Sequence, residues 1–258
     1  MSARLLITLL SDFGAASSYP AQMKGVLLTA APDATLVDLS HDVAPYDVLA
    51  GALMLEACAP RFPGHAVHLA VVDPGVGTAR RPLCVVDAAG RRFVGPDNGL
   101  FTPFLGAGAR AIHLTSRDVV PDPVSATFHG RDLFAPVAAW LASGGDASWL
   151  GPAVADPVRL PWPRAERRGA EVHGECLAAD PFGNVLTTIR AGDLGLRPRE
   201  VLVGDRAARF VQTYGHGAAG EPIALLGSSG RLEIAVREGN AWRQLGLTRG
   251  APIVVRVA

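Results

Sequence analysis

The chain of 258 residues is long enough for one large α/β domain or two modest ones. It carries 24 Lys and Arg residues against 24 Asp and Glu residues, so its formal net charge is zero, which argues against a basic nucleic-acid-binding face and against a polybasic membrane segment. Hydrophobic residues make up 49% of the chain, which excludes disorder over most of its length, and its 29 glycines and 20 prolines predict many turns.

The first half of the chain alternates strand patterns with helix patterns. Apolar runs predict strands at 5–10, 35–39, 67–72, 83–86 and 92–94. Helical spacing predicts helices at 22–31, 47–58 and 132–143, and Pro32 and Pro60 end the first two. This alternation predicts an N-terminal α/β domain, residues 1–150, in which a mostly parallel central sheet is covered on both faces.

The composition changes after Trp149. Four prolines and a charged run between 151 and 169 predict a linker. From 170 to 258, helix patterns fade and short apolar runs alternate with glycine-containing turns, which predicts a smaller C-terminal β-barrel domain. Its strands are predicted at 172–178, 185–189, 209–212, 223–226, 232–236 and 252–257.

The cysteines and the N-terminus indicate the compartment. Cys58, Cys84 and Cys176 are odd in number and far apart, which predicts neither a disulfide framework nor a thiolate zinc site. The apolar run 5–10 ends before Asp12 and is shorter than a signal-peptide core, and no segment approaches the length of a membrane span. We therefore expect a cytoplasmic protein that does not enter a membrane.

Acidic side chains follow two of the predicted strands. Asp12 comes directly after the first strand, in SDFG, and Asp73 follows the third, in VVDPGVGT, with Arg80 close behind. Ligands bind at the carboxyl ends of strands in α/β sheets, and a carboxylate there can accept two hydrogen bonds from a ribose diol. The alternatives are a helix N-cap for Asp12 and an ordinary turn with surface arginines after Asp73.

Three further motifs stand before or between predicted elements. His129, in TFHGRD, precedes a predicted helix and is a candidate acid or base. Asn184, in DPFGN, carries an amide that can pair with an adenine edge, although this motif and the GSSGRLEIAV run at 227–236 would each fit a hairpin turn. For the turn-rich PDNG at 96–99 we favour a structural role.

Together and in order, these motifs resemble those of the S-adenosyl-L-methionine hydroxide adenosyltransferases, adenosine-forming hydrolases related to the fluorinase and the chlorinase. The resemblance runs from residue 5 to about 252. It implies an N-terminal α/β domain, a small C-terminal β-barrel, and a homotrimer whose ligand lies between the N-terminal domain of one chain and the barrel of its neighbour. The resemblance implies S-adenosyl-L-methionine as the substrate, so neither a further cofactor nor a metal ion is expected.

The resemblance also implies roles for individual residues. The water-activating trio of the family falls on Asp73, Arg80 and His129. Its adenosine contacts fall on Asp12, Asp73, Asn184, Ser228, Glu233 and the backbone of Val236. Tyr214 stands where the family places an aromatic ring near the adenine. Ser17 replaces an Asp that lies near the methionine ammonium in relatives, and Asp180 could serve that ammonium instead.

The implied reaction is hydrolysis of S-adenosyl-L-methionine to adenosine and L-methionine, by attack of water on the ribose 5′ carbon in line with the departing sulfonium. The nearest alternative is a halogenase. Asp73 argues against it, because the halogenases have an uncharged aromatic residue there and an ionised carboxylate repels a halide. Val76 and Gly130 replace the fluorinase's hydroxyl side chains, although Gly130 matches the chlorinase.

Two alternatives come from other classes of protein. A non-catalytic adenosine- or S-adenosylmethionine-binding module would need the trio to be lost, and all three residues are present. A metal-dependent hydrolase lacks the expected clustered histidine spacing. Its ligands would come from Asp12, Asp38, His41, Asp73 and His129.

Overall fold

The computed structural model describes residues 5–120, 122, 124–195 and 198–257. The chain forms two compact units, Met1–Pro161 and Trp162–Ala258. The division falls inside the segment 151–169 that was predicted as a linker. The first part of that segment bonds to the first unit, since Ala153 bridges to Ile112 and the N–H of Leu160 donates to the Thr102 hydroxyl at 2.9 Å. Residues Glu166–Arg168 form a strand of the second unit.

A six-stranded sheet forms the centre of the first unit. Its strands are β1 Leu6–Ser11, β2 Thr35–Ser40, β3 Val67–Val71, β4 Pro82–Val86, β5 Arg92–Pro96 and β6 Arg110–His113. They lie in the order β2-β1-β3-β5-β4-β6. The first four in that order are parallel, and β4 is antiparallel to both of its neighbours. The predicted mostly parallel sheet is therefore confirmed, and the short strand β6 is an addition.

Helices flank this sheet. They are α1 Ser18–Ala30, α2 Val48–Cys58 and α3 Ala135–Ala142, the last preceded by a π-helical turn, Gly130–Phe134. Helix α1 begins four residues before the predicted start. Ser17 caps it, and Pro20 is tolerated because it lies in the first turn, where its missing N–H breaks no helical bond. Helices α1 and α3 pack against the face of the sheet that carries Ile7 and Leu9.

The second unit is a closed barrel. Its strands are β7 Glu166–Arg168, β8 Glu171–Ala179, β9 Val185–Arg190, β10 Pro198–Val203, β11 Arg206–Phe210, β12 Pro222–Leu226, β13 Arg231–Val236 and β14 Pro252–Val257, with short helices α4 Ala191–Leu194 and α5 Ala241–Gln244. Strands β8 to β14 close the ring because β8 pairs with both β9 and β14. This confirms the predicted barrel. Strand β7 pairs with the first residues of β8, outside the ring.

In the part of the chain that the structure describes, no helix combines the length and the apolar character needed to cross a membrane. Cys58, Cys84 and Cys176 are all free thiols, and burial raises the pKa of each. For Cys84, deep in the sheet, the pKa rises to about 12.

Candidate active site

The turn between β3 and β4 brings Asp73 and Arg80 together. Arg80 Nε donates to both carboxylate oxygens of Asp73, at 2.9 and 3.0 Å, and its Nη2 donates to Oδ2. The two side chains are only 4% and 9% exposed, so this is a buried, forked ion pair rather than a surface contact. The turn closes tightly because Gly77 has a φ of +75° and a Cβ there would overlap the carbonyl of Ala126.

His129 joins this pair at the start of the π-helical turn. Arg80 Nη2 donates to His129 Nδ1 at 2.7 Å. A guanidinium can only donate, so Nδ1 accepts and the imidazole is neutral, with its proton on Nε2. Burial and the positive charge of Arg80 lower the pKa of His129, which agrees with the neutral form. Phe134, from the same turn, lies under Arg80 with its ring centroid 5.3 Å from Cζ.

The trio keeps hydrogen-bonding capacity for a further oxygen atom. Arg80 Nη1 is buried and has no hydrogen-bond partner among the described residues. An unpaired buried donor is costly, which makes it a strong point of attachment for an oxygen ligand. The Nε2–H of His129 is a second donor, and the Asp73 carboxylate has about four lone-pair sites, of which Arg80 uses three. The arrangement suits a water or hydroxide nucleophile.

Asp12 lies at the same edge of the sheet, since β1 and β3 are parallel and Ser11 is opposite Val71. It does not cap helix α1, which Ser17 caps. Instead, its Oδ2 accepts the backbone N–H of Tyr46 at 2.8 Å. Tyr46 is 73% exposed and has a φ of +67°, a strained conformation for this residue type and one often found at functional sites.

Tyr46 is a functional candidate that the sequence reasoning missed. Tyr46 is exposed at the surface, beside the Asp12 carboxylate, a predicted adenosine contact. The only local signal is the Pro-Tyr-Asp sequence before α2, which predicts a turn and nothing about the φ of the tyrosine.

Gly130 is tightly packed behind His129. A Cβ at this position would lie 3.3 Å from the sulfur of Met23 and 3.3 Å from the ring of Phe128. Phe128 in turn packs edge to face against Phe13 and Tyr19. A side chain at position 130 would therefore require Met23 and Phe128 to shift by a few tenths of an ångström.

In the second unit, a pocket of about 790 Å³ is lined by four of the predicted contact residues, Asp180, Asn184, Tyr214 and Val236. Asp180 Oδ1 accepts the backbone N–H groups of Phe182 and Asn184, at 2.9 and 2.8 Å. Its Oδ2 accepts from Asn184 Nδ2 at 2.9 Å. These bonds fix the orientation of the Asn184 amide, which a base edge requires for recognition.

Glu233 reaches this pocket through Tyr214, whose hydroxyl donates to Glu233 Oε2 at 2.6 Å. Burial, and then the Glu233 carboxylate, raise the pKa of Tyr214, so the phenol stays protonated and keeps this bond. Glu233 is only 7% exposed and packs on Gly227, where a Cβ would overlap the carboxylate. Ser228 lies on the exposed turn that follows Gly227.

Two further sequence predictions concern ammonium and metal ligands. Ser17, which replaces the usual Asp, accepts from the N–H of Tyr19 at 3.4 Å as the cap of α1. His41 is bonded to Ser11 Oγ at 2.7 Å and to Asp38 at 3.1 Å. Over residues 5–120, 122, 124–195 and 198–257, no three His, Cys, Asp or Glu side chains are grouped so as to hold a metal ion.

Comparison with known proteins identifies the class to which this fold and this site belong. The profile of the SAM hydroxide adenosyltransferase N-terminal domain matches residues 7–151, and that of the C-terminal domain matches residues 174–254. The chain belongs to the SAM hydroxide adenosyltransferase family, as its motifs suggested.

Individual relatives agree with this assignment. The chain is 43% identical over 249 residues to an (R)-S-adenosyl-L-methionine hydrolase of Salinispora tropica, covering 95% of each chain. It is 27% identical over 292 residues to a fluorinase of Nocardia brasiliensis, covering 98% of this chain and 97% of that one. A crystal structure of an uncharacterized conserved protein from Thermotoga maritima superposes with a TM-score of 0.90 at 32% identity, over 97% of this chain and 99% of that chain.

Proposed function

We propose that the protein hydrolyses S-adenosyl-L-methionine to adenosine and L-methionine. The observation that carries this proposal is the buried chain Asp73–Arg80–His129, in which Arg80 Nη1 and His129 Nε2–H remain as donors for an oxygen nucleophile. The family membership and the relatives that are named hydrolases, at 41 to 44% identity over 95% of this chain, support it.

In the proposed step, the water oxygen attacks the 5′ carbon as the bond between that carbon and the sulfonium sulfur breaks. The bonding pair goes to sulfur, which leaves as the neutral thioether of methionine. Arg80 and His129 stabilise hydroxide character on the attacking oxygen. Asp73 orients this oxygen, contacts the ribose, and accepts the proton as the new bond makes the oxygen more acidic. Hydroxide and sulfonium neutralise each other, so a dry site favours the reaction.

The structure offers a physical argument against halide transfer. The buried Asp73 carboxylate would repel a halide. We therefore expect adenosine as the only nucleoside product, even in high chloride or fluoride. Chromatography and mass spectrometry after incubation with S-adenosyl-L-methionine test this, and a 5′-halo-5′-deoxyadenosine that grows with halide concentration would refute hydrolysis.

For the assembly, we propose a homotrimer in which the first unit of one chain and the barrel of its neighbour share each substrate. The support is that the candidate contacts are divided: Asp12 and Asp73 belong to the first unit, whereas Asn184 and Glu233 belong to the second. Light scattering should give a trimer or a multiple of it. A monomer with full activity at the same concentration would contradict the shared site.

We further propose that the preferred substrate is the R epimer at sulfur, which the names of the hydrolase relatives specify. We also propose that Asp180 binds the methionine ammonium, because Ser17 stands in place of the Asp that lies near this ammonium in relatives. Separate assays of the two epimers test the preference. Asp180→Asn should raise the KM for S-adenosyl-L-methionine by more than it raises the Kd for adenosine, which it affects only through the orientation of the Asn184 amide. The proposed compartment is the cytoplasm, in keeping with three unpaired thiols.

A further inference from the structure

The PDNG loop after β5 bonds to both ends of the turn that carries Asp73 and Arg80. Asn98 Nδ2 donates to the carbonyl of Val72, the residue before Asp73, at 2.8 Å. Asp97 Oδ2 accepts from Nε of Arg81, the residue after Arg80, at 2.7 Å. The backbone N–H of Asp97 donates to the Arg81 carbonyl at 2.9 Å. The loop therefore holds both ends of the turn, at Val72 and at Arg81.

The loop itself is rigidly held. The Asp97 side chain is 2% exposed, and its second oxygen accepts the N–H of Val158 at 2.8 Å. The Asn98 side-chain oxygen accepts the N–H of Leu100 at 3.2 Å. On the strand just before the loop, Gly95 packs so closely on β3 that a Cβ would overlap the carbonyl of Ala70. The PDNG loop is thus fixed to the central sheet of the first unit.

The turn has less support of its own. Its internal bonds are local ones, such as that from the Thr78 hydroxyl to the Gly75 carbonyl at 2.7 Å, and Gly77, Thr78 and Ala79 are exposed. The placement of Asp73 relative to Arg80 and His129 depends on where the ends of the turn are held. In-line attack is sensitive to such placement, since a shift of about 1 Å can lower a rate by roughly a hundredfold.

We propose that Asp97 and Asn98 are positioning residues for the Asp73–Arg80–His129 trio, which they hold through Arg81 and Val72. This inference rests on the proposed hydrolase function. Asn98→Ala removes the donor to Val72, and Asp97→Asn removes one of the two carboxylates paired with Arg81, the other being Asp156, while keeping the shape of the side chain. In both variants kcat should fall by about 10- to 100-fold, whereas the Kd for adenosine should change by less than about threefold.

A matched control lies at the other end of the same hairpin. Asp87 is 7% exposed and accepts from Arg91 Nε at 2.7 Å, just as Asp97 pairs with Arg81, but it lies in the β4–β5 connection, away from the trio. Asp87→Asn should lower the melting temperature about as much as Asp97→Asn does and leave kcat unchanged. Thermal unfolding, steady-state kinetics and adenosine calorimetry on the full chain provide the readouts.

The outcomes separate the two proposals. If the wild-type chain releases adenosine and the two variants keep its kcat, or if Asp87→Asn loses as much kcat as Asp97→Asn, the positioning role is refuted and the hydrolase function stands. If the wild-type chain releases no adenosine from S-adenosyl-L-methionine while binding adenosine, the hydrolase function fails and the positioning role fails with it.

Discussion

Replacing Arg80 tests the centre of the proposed mechanism. Arg80→Lys keeps a positive charge, but one ammonium cannot provide both the fork to Asp73 and the donor to His129 Nδ1. Removing a preorganised donor of this kind costs about 3 to 4 kcal/mol in the transition state, so we expect kcat to fall by about 10²- to 10³-fold. Adenosine affinity should be retained, because Arg80 is assigned to the nucleophile and not to the base or the ribose.

Arg80→Ala adds a stability effect. It leaves the Asp73 carboxylate, 4% exposed, without the three donations that it receives from Arg80, and breaking such a buried pair costs about 3 to 5 kcal/mol in the free energy of unfolding. Urea unfolding followed by circular dichroism measures this loss. The Lys variant separates the two effects, since it should lose turnover with a smaller loss of stability.

Arg91→Lys is the matched control for Arg80→Lys. Arg91 also pairs with a buried aspartate, Asp87, and lies over a phenylalanine ring, at 5.9 Å from Phe104, but at the far end of β4. It should lose similar stability and keep its turnover, measured as adenosine released per unit time. Near wild-type turnover in Arg80→Lys, or an equal loss in Arg91→Lys, would refute the role given to Arg80.

Three other predictions concern pH, metal ions and acid stability. His129 acts in its neutral form, and burial together with the charge of Arg80 lowers its pKa below the ordinary 6.5. We therefore expect kcat to stay constant as the pH falls to 6.5 and to decrease only below that pH. A pH–rate profile in which kcat already decreases above pH 6.5 would contradict this. Activity should survive extensive dialysis against EDTA, because the sulfonium is a good leaving group without a Lewis acid; loss on chelation with recovery on adding Zn²⁺ or Mn²⁺ would argue for a metal site. Burial lowers the pKa of His68 to about 4. As the pH falls below 6.5, the His68 side chain is therefore protonated in the unfolded chain but still neutral in the folded chain. This difference should lower the free energy of unfolding by about 3 kcal/mol between pH 6.5 and pH 4. The double variant Thr8→Val/His68→Phe, which removes both partners of the buried hydrogen bond, should flatten this part of the curve of unfolding free energy against pH, and an unchanged slope would show that other groups are responsible.

Sequence patterns predicted the strands that are buried along almost their whole length. The apolar runs of β1 and β3, each followed by an aspartate, indicated from sequence alone that Asp12 and Asp73 lie at the carboxyl ends of strands. Strands β6 and β10 were missed because their apolar content is small: β6 has four residues, and β10 begins with Pro198, Arg199 and Glu200.

Other features depend on contacts between residues that are distant in the chain. Asn98 donates to Val72, 26 residues away, and Arg80 donates to His129, 49 residues away. No local pattern reports such a bond, which is why PDNG was predicted only as a turn. Tyr46, which has a positive φ, likewise donates to Asp12, 34 residues earlier.

Strand β7 should determine whether the barrel self-associates when it is produced as a separate fragment. Glu166, Arg167 and Arg168 are exposed and charged, and they cover the edge of β8 over its first residues, 171–173. Charged side chains on an edge discourage strand addition from another molecule. A chain trimmed to begin at residue 170 would leave the N–H and C=O groups on that edge of β8 unpaired and free to dock a second copy, so it should self-associate. A chain beginning at Trp162 would keep the charged strand and should stay dispersed.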